Sequence, residues 1–303
     1  MKSIAGALSI PRLLWSLPRA LWLRPAGASV EEYFGGLVGR WNFDQVLGPA
    51  LDAMTCQPAS RFPADEVFRK KPRDKSVLRS FTGVAGLGGL VDGLADALAK
   101  SPGVVLRTGV AVERIEPCNG GHRLLLSDGS SITATTVVLA VAPDVVARLL
   151  QGPMPALARD CTSIAMAEFD SLAVLFDAGA SSLPPLAGII AHADDFYSAL
   201  SRDVVPGDRH RAFTFHFRPG LEAASRLARA CDVLGITPGQ VIDHATVHNR
   251  LPALRTDHAA TIASIDHQLH GKRLGLAGNW FAGVSIEDSL LRAAAEFARL
   301  YPA

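Results

Sequence analysis

Arg273 to Leu300, RLGLAGNWFAGVSIEDSLLRAAAEFARL, constrains the fold more than any other stretch of the chain. Arg273 to Ala277 reads as a short buried strand, closed by Gly278-Asn279. From Ser285 onward, Ile286, Leu290, Ala293 or Ala294, Phe297 and Leu300 recur at helical spacing. Ser285 is the expected N-cap, with Asp288 three residues later and Glu287 beside it, where negative charge suits the helix dipole. A strand, a glycine-bearing turn and a helix in that order belong to an α/β sheet. They leave free N–H groups and the positive end of a helix at the sheet's edge, a place to hold an anion or a polar ring edge. Any α/β protein has such a unit, so physics alone leaves its role open.

The middle of the chain is β-rich. Val104 to Arg107 and Val110 to Ile115 read as strands, and Asn119-Gly120 and Asp128-Gly129 as hairpin turns. Arg123 to Leu126 and Ser131 to Thr135 flank the second turn. Val137 to Ala140 lacks polar alternation and is expected as a fully buried strand, ended by Ala142-Pro143 with a helix from about Asp144. Ser163 to Phe176 reads as strand pairs. Arg211 to Phe217 alternates, with Phe213, Phe215 and Phe217 on one face and Thr214 and His216 on the other. That phenylalanine row suits a flat apolar ligand, and a sheet packed on its own core would look the same. Leu221 to Leu234 is an expected helix ended by Gly235, and Val241 to His248 a strand. Residues 1 to about 75 read as helical, with Ser29 capping and Glu32 at the third helical position.

Composition removes several classes. At 303 residues and 49% hydrophobic, the chain can bury a large core in one or two domains. A formal net charge of +1 gives no basis for capturing nucleic acid. Cys56, Cys118, Cys161 and Cys231 form no C-x-x-C pair and read as reduced residues of a cytosolic protein. The pairs His244/His248 and His267/His270 lack a glutamate and a third ligand, so no metal is expected. Gly83, Gly86, Gly88, Gly89 and Gly93 invite a dinucleotide fingerprint, but Val91 stands where that spacing needs glycine or alanine. They read instead as a turn before a helix. Arg69 to Lys75 reads as a solvated charged loop. No apolar run spans a bilayer. The first 24 residues carry Lys2, Arg12, Arg19, Arg24, Trp15 and Trp22 with no acid before Glu31, which fits a helical layer over a pocket or a segment lying on a membrane surface.

Ala277-Gly278-Asn279, a four-residue spacer and Val284-Ser285-Ile286-Glu287-Asp288 resemble the closing motif of flavin-dependent protoporphyrinogen oxidases, within the flavin amine oxidase and phytoene desaturase superfamily. The order of the segments before it is similar to the same family. The resemblance implies an α/β (α+β) fold: a truncated FAD/NAD(P)-binding-type domain with an inserted mixed-sheet and helical substrate domain. Residues 1–80 would be the helical part of the substrate domain, 81–150 the middle of the FAD domain, 151–255 the substrate domain and 256–303 the end of the FAD domain. It implies FAD, with Val112 at the adenine, Ala142 and Pro143 passing near the cofactor, and Gly278, Asn279, Gly283, Val284, Ser285 and Ile286 along it. It also implies hydride transfer from a small apolar or cyclic substrate, for which the alternating row Phe213, Phe215 and Phe217 is the candidate substrate face. No acid, base or nucleophile is named. Peripheral membrane contact of an otherwise cytoplasmic protein is a further expectation.

This sequence departs from the family in three places. Arg292-Ala293 replaces the Ser-Gly usual in the last helix, and Asn249-Arg250 stands where an aromatic precedes the proline of Leu251 to Leu254. The opening strand, G-x-G-x-x-G turn and helix have no counterpart. The expectation is a truncated or split flavoprotein whose nucleotide-binding segment comes from a partner chain, on which FAD retention would depend. The competing readings are a non-catalytic remnant that binds an apolar ligand or a partner, and an unrelated α/β protein. Flavin absorbance of the purified protein separates the first two.

Overall fold

The computed structural model describes residues 8–20, 24–67, 76, 86–203, 209–281, 283 and 285–302. The expected charged loop at Arg69 to Lys75, Gly83 and Val284 lie outside them.

The N-terminal layer is helical. It comprises α1 (Ile10–Ala20), α2 (Val30–Val38), a π-turn at Phe43–Leu47 and α3 (Gly48–Thr55). Ser29 starts α2 with a capping box: its Oγ accepts from Glu32 N–H at 3.2 Å, and the Glu32 carboxylate accepts from Ser29 N–H at 2.8 Å. Val30, Phe43 and Ala59 form a small core of this layer. Asn42, fully buried, fastens α1 to it by accepting from Ser9 N–H at 2.8 Å. Ile10, Leu14 and Trp15 of α1 face outward.

After α4 (Gly88–Ala99), β1 (Val112–Cys118), β2 (Gly121–Leu126) and β3 (Ser131–Ala134) form an antiparallel meander with tight turns at the two expected positions. Val104 to Arg107 forms no strand. Next come β4 (Val137–Leu139), α5 (Pro143–Leu150) and α6 (Pro155–Ser163). The strand pairs expected over Ser163 to Phe176 are instead the end of α6 and one long strand, β5 (Met166–Asp177). With β6 (Gly188–Ile190), β7 (Phe196–Ser201), β8 (His210–Phe217) and β9 (Val241–Pro252) it builds an antiparallel sheet in the order β6-β7-β8-β5-β9. β9 runs on through Leu251-Pro252, where the resemblance implies a proline-bearing turn over Leu251 to Leu254; Pro252 pairs with Met166 at the strand's last position, where its missing donor costs least. Between β8 and β9, α7 (Ala223–Leu234) packs on the sheet and ends at Gly235 in the left-handed region, φ 66°.

The chain closes with α8 (His258–Leu269), β10 (Leu274–Leu276) and α9 (Ile286–Leu300). β10 pairs in parallel with β4, Leu274 against Val137 and Leu276 against Leu139. These two strands, α5, α6 and α8 share one core that includes Ile115, Leu150, Ile265 and Trp280. α3 reaches the five-stranded sheet through Asp52, 3.7 Å from Arg218, whose guanidinium lies 4.1 Å from the centre of the Tyr197 ring.

The two edges of the parallel pair differ. The outer edge of β10 is closed by side chains of α9: Leu276 N–H donates to Glu296 Oε2 (3.1 Å), Arg292 Nε donates to Leu276 O (2.9 Å) and Arg299 Nη2 to Leu274 O (2.6 Å). Strand alternation turns the N–H and C=O of Val138 toward the other edge of β4, and no described residue bonds to them there.

Candidate functional site

The carboxyl ends of β4 and β10 lie side by side, and Ala277 N–H continues the ladder to Leu139 O at 3.0 Å. Beyond them the two loops are tied by Trp280, fully buried, whose Nε1–H donates to Val141 O at 3.0 Å. The indole folds back over Gly278, which sits at φ 138°; a Cβ there would lie 2.9 Å from Trp280 Nε1. Gly275 does similar service inside β10. A Cβ on it would meet Leu300 Cδ1 at 2.9 Å, Glu296 Oε2 at 3.0 Å and Val138 Cγ2 at 3.2 Å, so only glycine lets α9 lie this close to the strand.

Phe281 stacks on Trp280 with centroids 3.9 Å apart, and the Arg292 guanidinium lies 3.7 Å above the Phe281 ring. Arg292 also pairs with Asp266 at 2.8 Å and Glu296 at 3.1 Å. The Arg292-Ala293 departure thus has a structural meaning: the long side chain fills the space between helix and strand end. His258, first residue of α8, is buried with Nε2 3.2 Å from Phe281 O, so that nitrogen carries the proton and donates. Burial holds its pKa below the usual histidine value, with the Phe281 carbonyl opposing.

α9 begins a short loop beyond β10. Ser285 is its N-cap, accepting from Asp288 N–H at 3.1 Å, and its own hydroxyl donates to Asp288 Oδ2 at 2.6 Å. Asp288 is buried inside this first turn, so close to Gly283 that a Cβ there would stand 2.3 Å from its Oδ2. Ile286 points outward.

Among the residues singled out from the sequence, Ala142, Pro143, Gly278 and Asn279 come together at this edge, with Gly283, Ser285 and Ile286 at the approach to α9. Val112 opens β1 and borders the same core. Val284 is outside the described residues. Phe213, Phe215 and Phe217 are elsewhere and are corrected in role. All three are fully buried in the core between the sheet and α7, with Ala230, Cys231 and Leu234, so they pack the sheet against that helix. Thr214 and His216 occupy the opposite face, where His216 Nδ1 lies 3.0 Å from Ser198 Oγ. His248 pairs with Asp170 at 3.0 Å. Trp280, Phe281, His258 and Gly275 were not singled out in sequence; a glycine between two leucines of a buried strand was the one signal available, for Gly275.

The fit to a flavin can be tested on these groups. Ligands of open α/β sheets bind beyond the carboxyl ends of parallel strands, which is where the half-buried backbone of Ala142, Gly278 and Asn279 lies. A helix N-terminus stands next along the chain. It already holds the Asp288 carboxylate, which would repel a pyrophosphate dianion and tolerates an uncharged ring. The described residues therefore fit the ring end of FAD and offer no cradle for its pyrophosphate.

The architecture is that of FAD-dependent oxidoreductases. The chain matches, at 95% coverage of itself and 71% of the other chain, the crystal structure of an Exiguobacterium protein assigned as a protoporphyrinogen oxidase, with a TM-score of 0.73 and 16% identity. It is similar also to reduced UDP-galactopyranose mutase (TM-score 0.67, 14% identity, 96% of this chain and 72% of that one). A putrescine oxidase variant follows (TM-score 0.63, 14% identity, 95% and 74%). At these identities the likeness is one of fold. In sequence, residues 31–202 match the flavin containing amine oxidoreductase family, and the chain belongs to that family.

Proposed function

We propose that this chain is the ring-side part of an FAD-dependent oxidoreductase acting on a small apolar or cyclic substrate, with its nucleotide-binding segment supplied by a partner chain. The observation that carries the reading is the convergence of Ala142, Gly278 and Asn279 at the carboxyl ends of β4 and β10. FAD, when bound, supplies the hydride acceptor. The chain's own residues bind and shield. The backbone at Ala142 and Gly278-Asn279 forms the floor, the first turn of α9 lends the positive end of its dipole, and Trp280 with Phe281 keeps water from the strand ends. Among the described residues, no side chain at this edge is placed to move a proton in the reaction.

The partner is supported by the open side of β4. A parallel sheet is normally covered on both faces and extended beyond two strands. Here Val138 is 48% exposed, and Leu90, Val91 and Leu94 of α4 are 52%, 66% and 54% exposed. A strand-and-helix unit laid along β4 would cover Val138.

Lumiflavin, which has the ring without the nucleotide, tests the ring side alone. Its fluorescence should be quenched saturably by the purified chain, and Gly278→Val, which drives a side chain into Trp280, should abolish the quenching. Equal quenching by the variant, or none by the parent chain, would count against the site. FAD itself should stay bound through gel filtration only when the partner segment is present.

A further inference from the structure

Between the N-terminal helical layer and the turn joining β9 to α8 lies a cavity of about 820 Å³, lined by none of the strand-end residues. A smaller one of about 270 Å³ runs from the same turn to Phe281. Arg255 belongs to the wall of both. Its Nη1 is buried and has no hydrogen-bond partner among the described residues. Arg61, at the end of the 3-10 turn Ala59–Arg61, shares the larger cavity, and its charge adds to desolvation in pulling the Arg255 pKa below the ordinary arginine value.

The acids on the same wall do not neutralise this pair. Glu31 is taken by Arg40, and Glu32 by the Ser29 capping box. Asp257 offsets part of the charge on Arg255, and among the described residues it forms no ion pair with Arg255 or Arg61. Two guanidinium groups on one wall, neither with a hydrogen bond or ion pair among the described residues, repel each other, and an anion that reaches their accessible nitrogens relieves that cost. A guanidinium presents a planar fork of N–H donors, matched by the two oxygens of a carboxylate. Glu32 and Asp257 on the same wall oppose a phosphate dianion more strongly than a carboxylate monoanion, while Glu31 is offset by Arg40.

We infer that this cavity binds the carboxylate of a small organic acid, held by Arg255 with Arg61 as the second charge. The inference is independent of the flavin reading, since none of these residues belongs to the strand-end site.

Benzoate is the probe, titrated calorimetrically into the full chain at constant ionic strength, with benzamide as the uncharged control and inorganic phosphate as the alternative anion. Benzoate should bind saturably and benzamide should not. Arg255→Gln should weaken benzoate by about tenfold or more, the loss of a charge-assisted hydrogen bond, and Arg61→Gln by about fivefold. Without ligand, Arg255→Met should leave the urea midpoint unchanged or raised, because it removes an unsatisfied buried donor. Absence of saturable binding, unchanged affinity in Arg255→Gln, or tighter binding of phosphate than of benzoate would overturn the assignment. So would a marked fall in midpoint for both Arg255→Met and Asp257→Asn, which would show Arg255 paired internally.

Discussion

Glu296 shows how much one residue can decide. It is 4% exposed, yet it keeps a carboxylate between Arg292 and Arg299 and uses the same group to accept the Leu276 N–H. A strand edge that would otherwise invite another strand is closed by a charged network on a helix. Glu296→Gln keeps the shape and removes the counter-charge of two arginines. It should destabilise the protein by about 3 kcal/mol in urea unfolding, the usual cost of breaking a buried ion pair from one side. A change below about 0.5 kcal/mol would place the network among surface ion pairs of little worth. In the sequence, Arg292, Glu296 and Arg299 read as helix-surface charges at i, i+4 and i+3 spacings. Nothing local says that this face of α9 meets a strand edge.

At the scale of elements, β8 and α4 carry similar apolar content and have opposite surroundings. Every second residue of β8 is buried, and the alternation of Arg211 to Phe217 was plain in the sequence. Which face looked inward was not, because period-2 patterning names two faces and leaves the covering element, here α7, unspecified. α4 was equally plain as a helix, but none of its residues is buried. Leu90→Lys combined with Leu94→Lys should therefore change the unfolding free energy of the isolated chain by no more than about 0.5 kcal/mol. A loss above about 2 kcal/mol would show that α4 packs within the chain. The turn glycines and caps were legible for a local reason: Ser29, Ser285 and Gly235 each satisfy backbone groups within four residues of themselves.

For the whole molecule, the five-stranded sheet and the parallel pair are expected to differ in stability. β5 and β8 are interior strands of an antiparallel sheet, whereas β4 has three residues and, among the described residues, a strand partner on one side only. Amides of Val137 to Leu139 should exchange with deuterium faster than those of Leu172 to Phe176 by on the order of a hundredfold, and should slow when the partner segment is added. Equal protection in the isolated chain would mean that the edge of β4 is already covered.

What the sequence settled by itself was whatever is written within a few residues: the hairpin turns, the capped helix starts, the strand–turn–helix at Arg273 to Leu300, and the motif around Gly278-Asn279 and Ser285. These follow from short-range hydrogen bonding and side-chain periodicity, which the chain carries with it. Only the tertiary structure decided that Trp280 ties the ends of β4 and β10, that Gly275 admits α9, and that Phe213, Phe215 and Phe217 are core. It alone set Arg255 and Arg61 facing one cavity across almost two hundred residues of sequence. Contacts of that range depend on which surfaces remain to be buried once the local elements exist, and no local pattern records them.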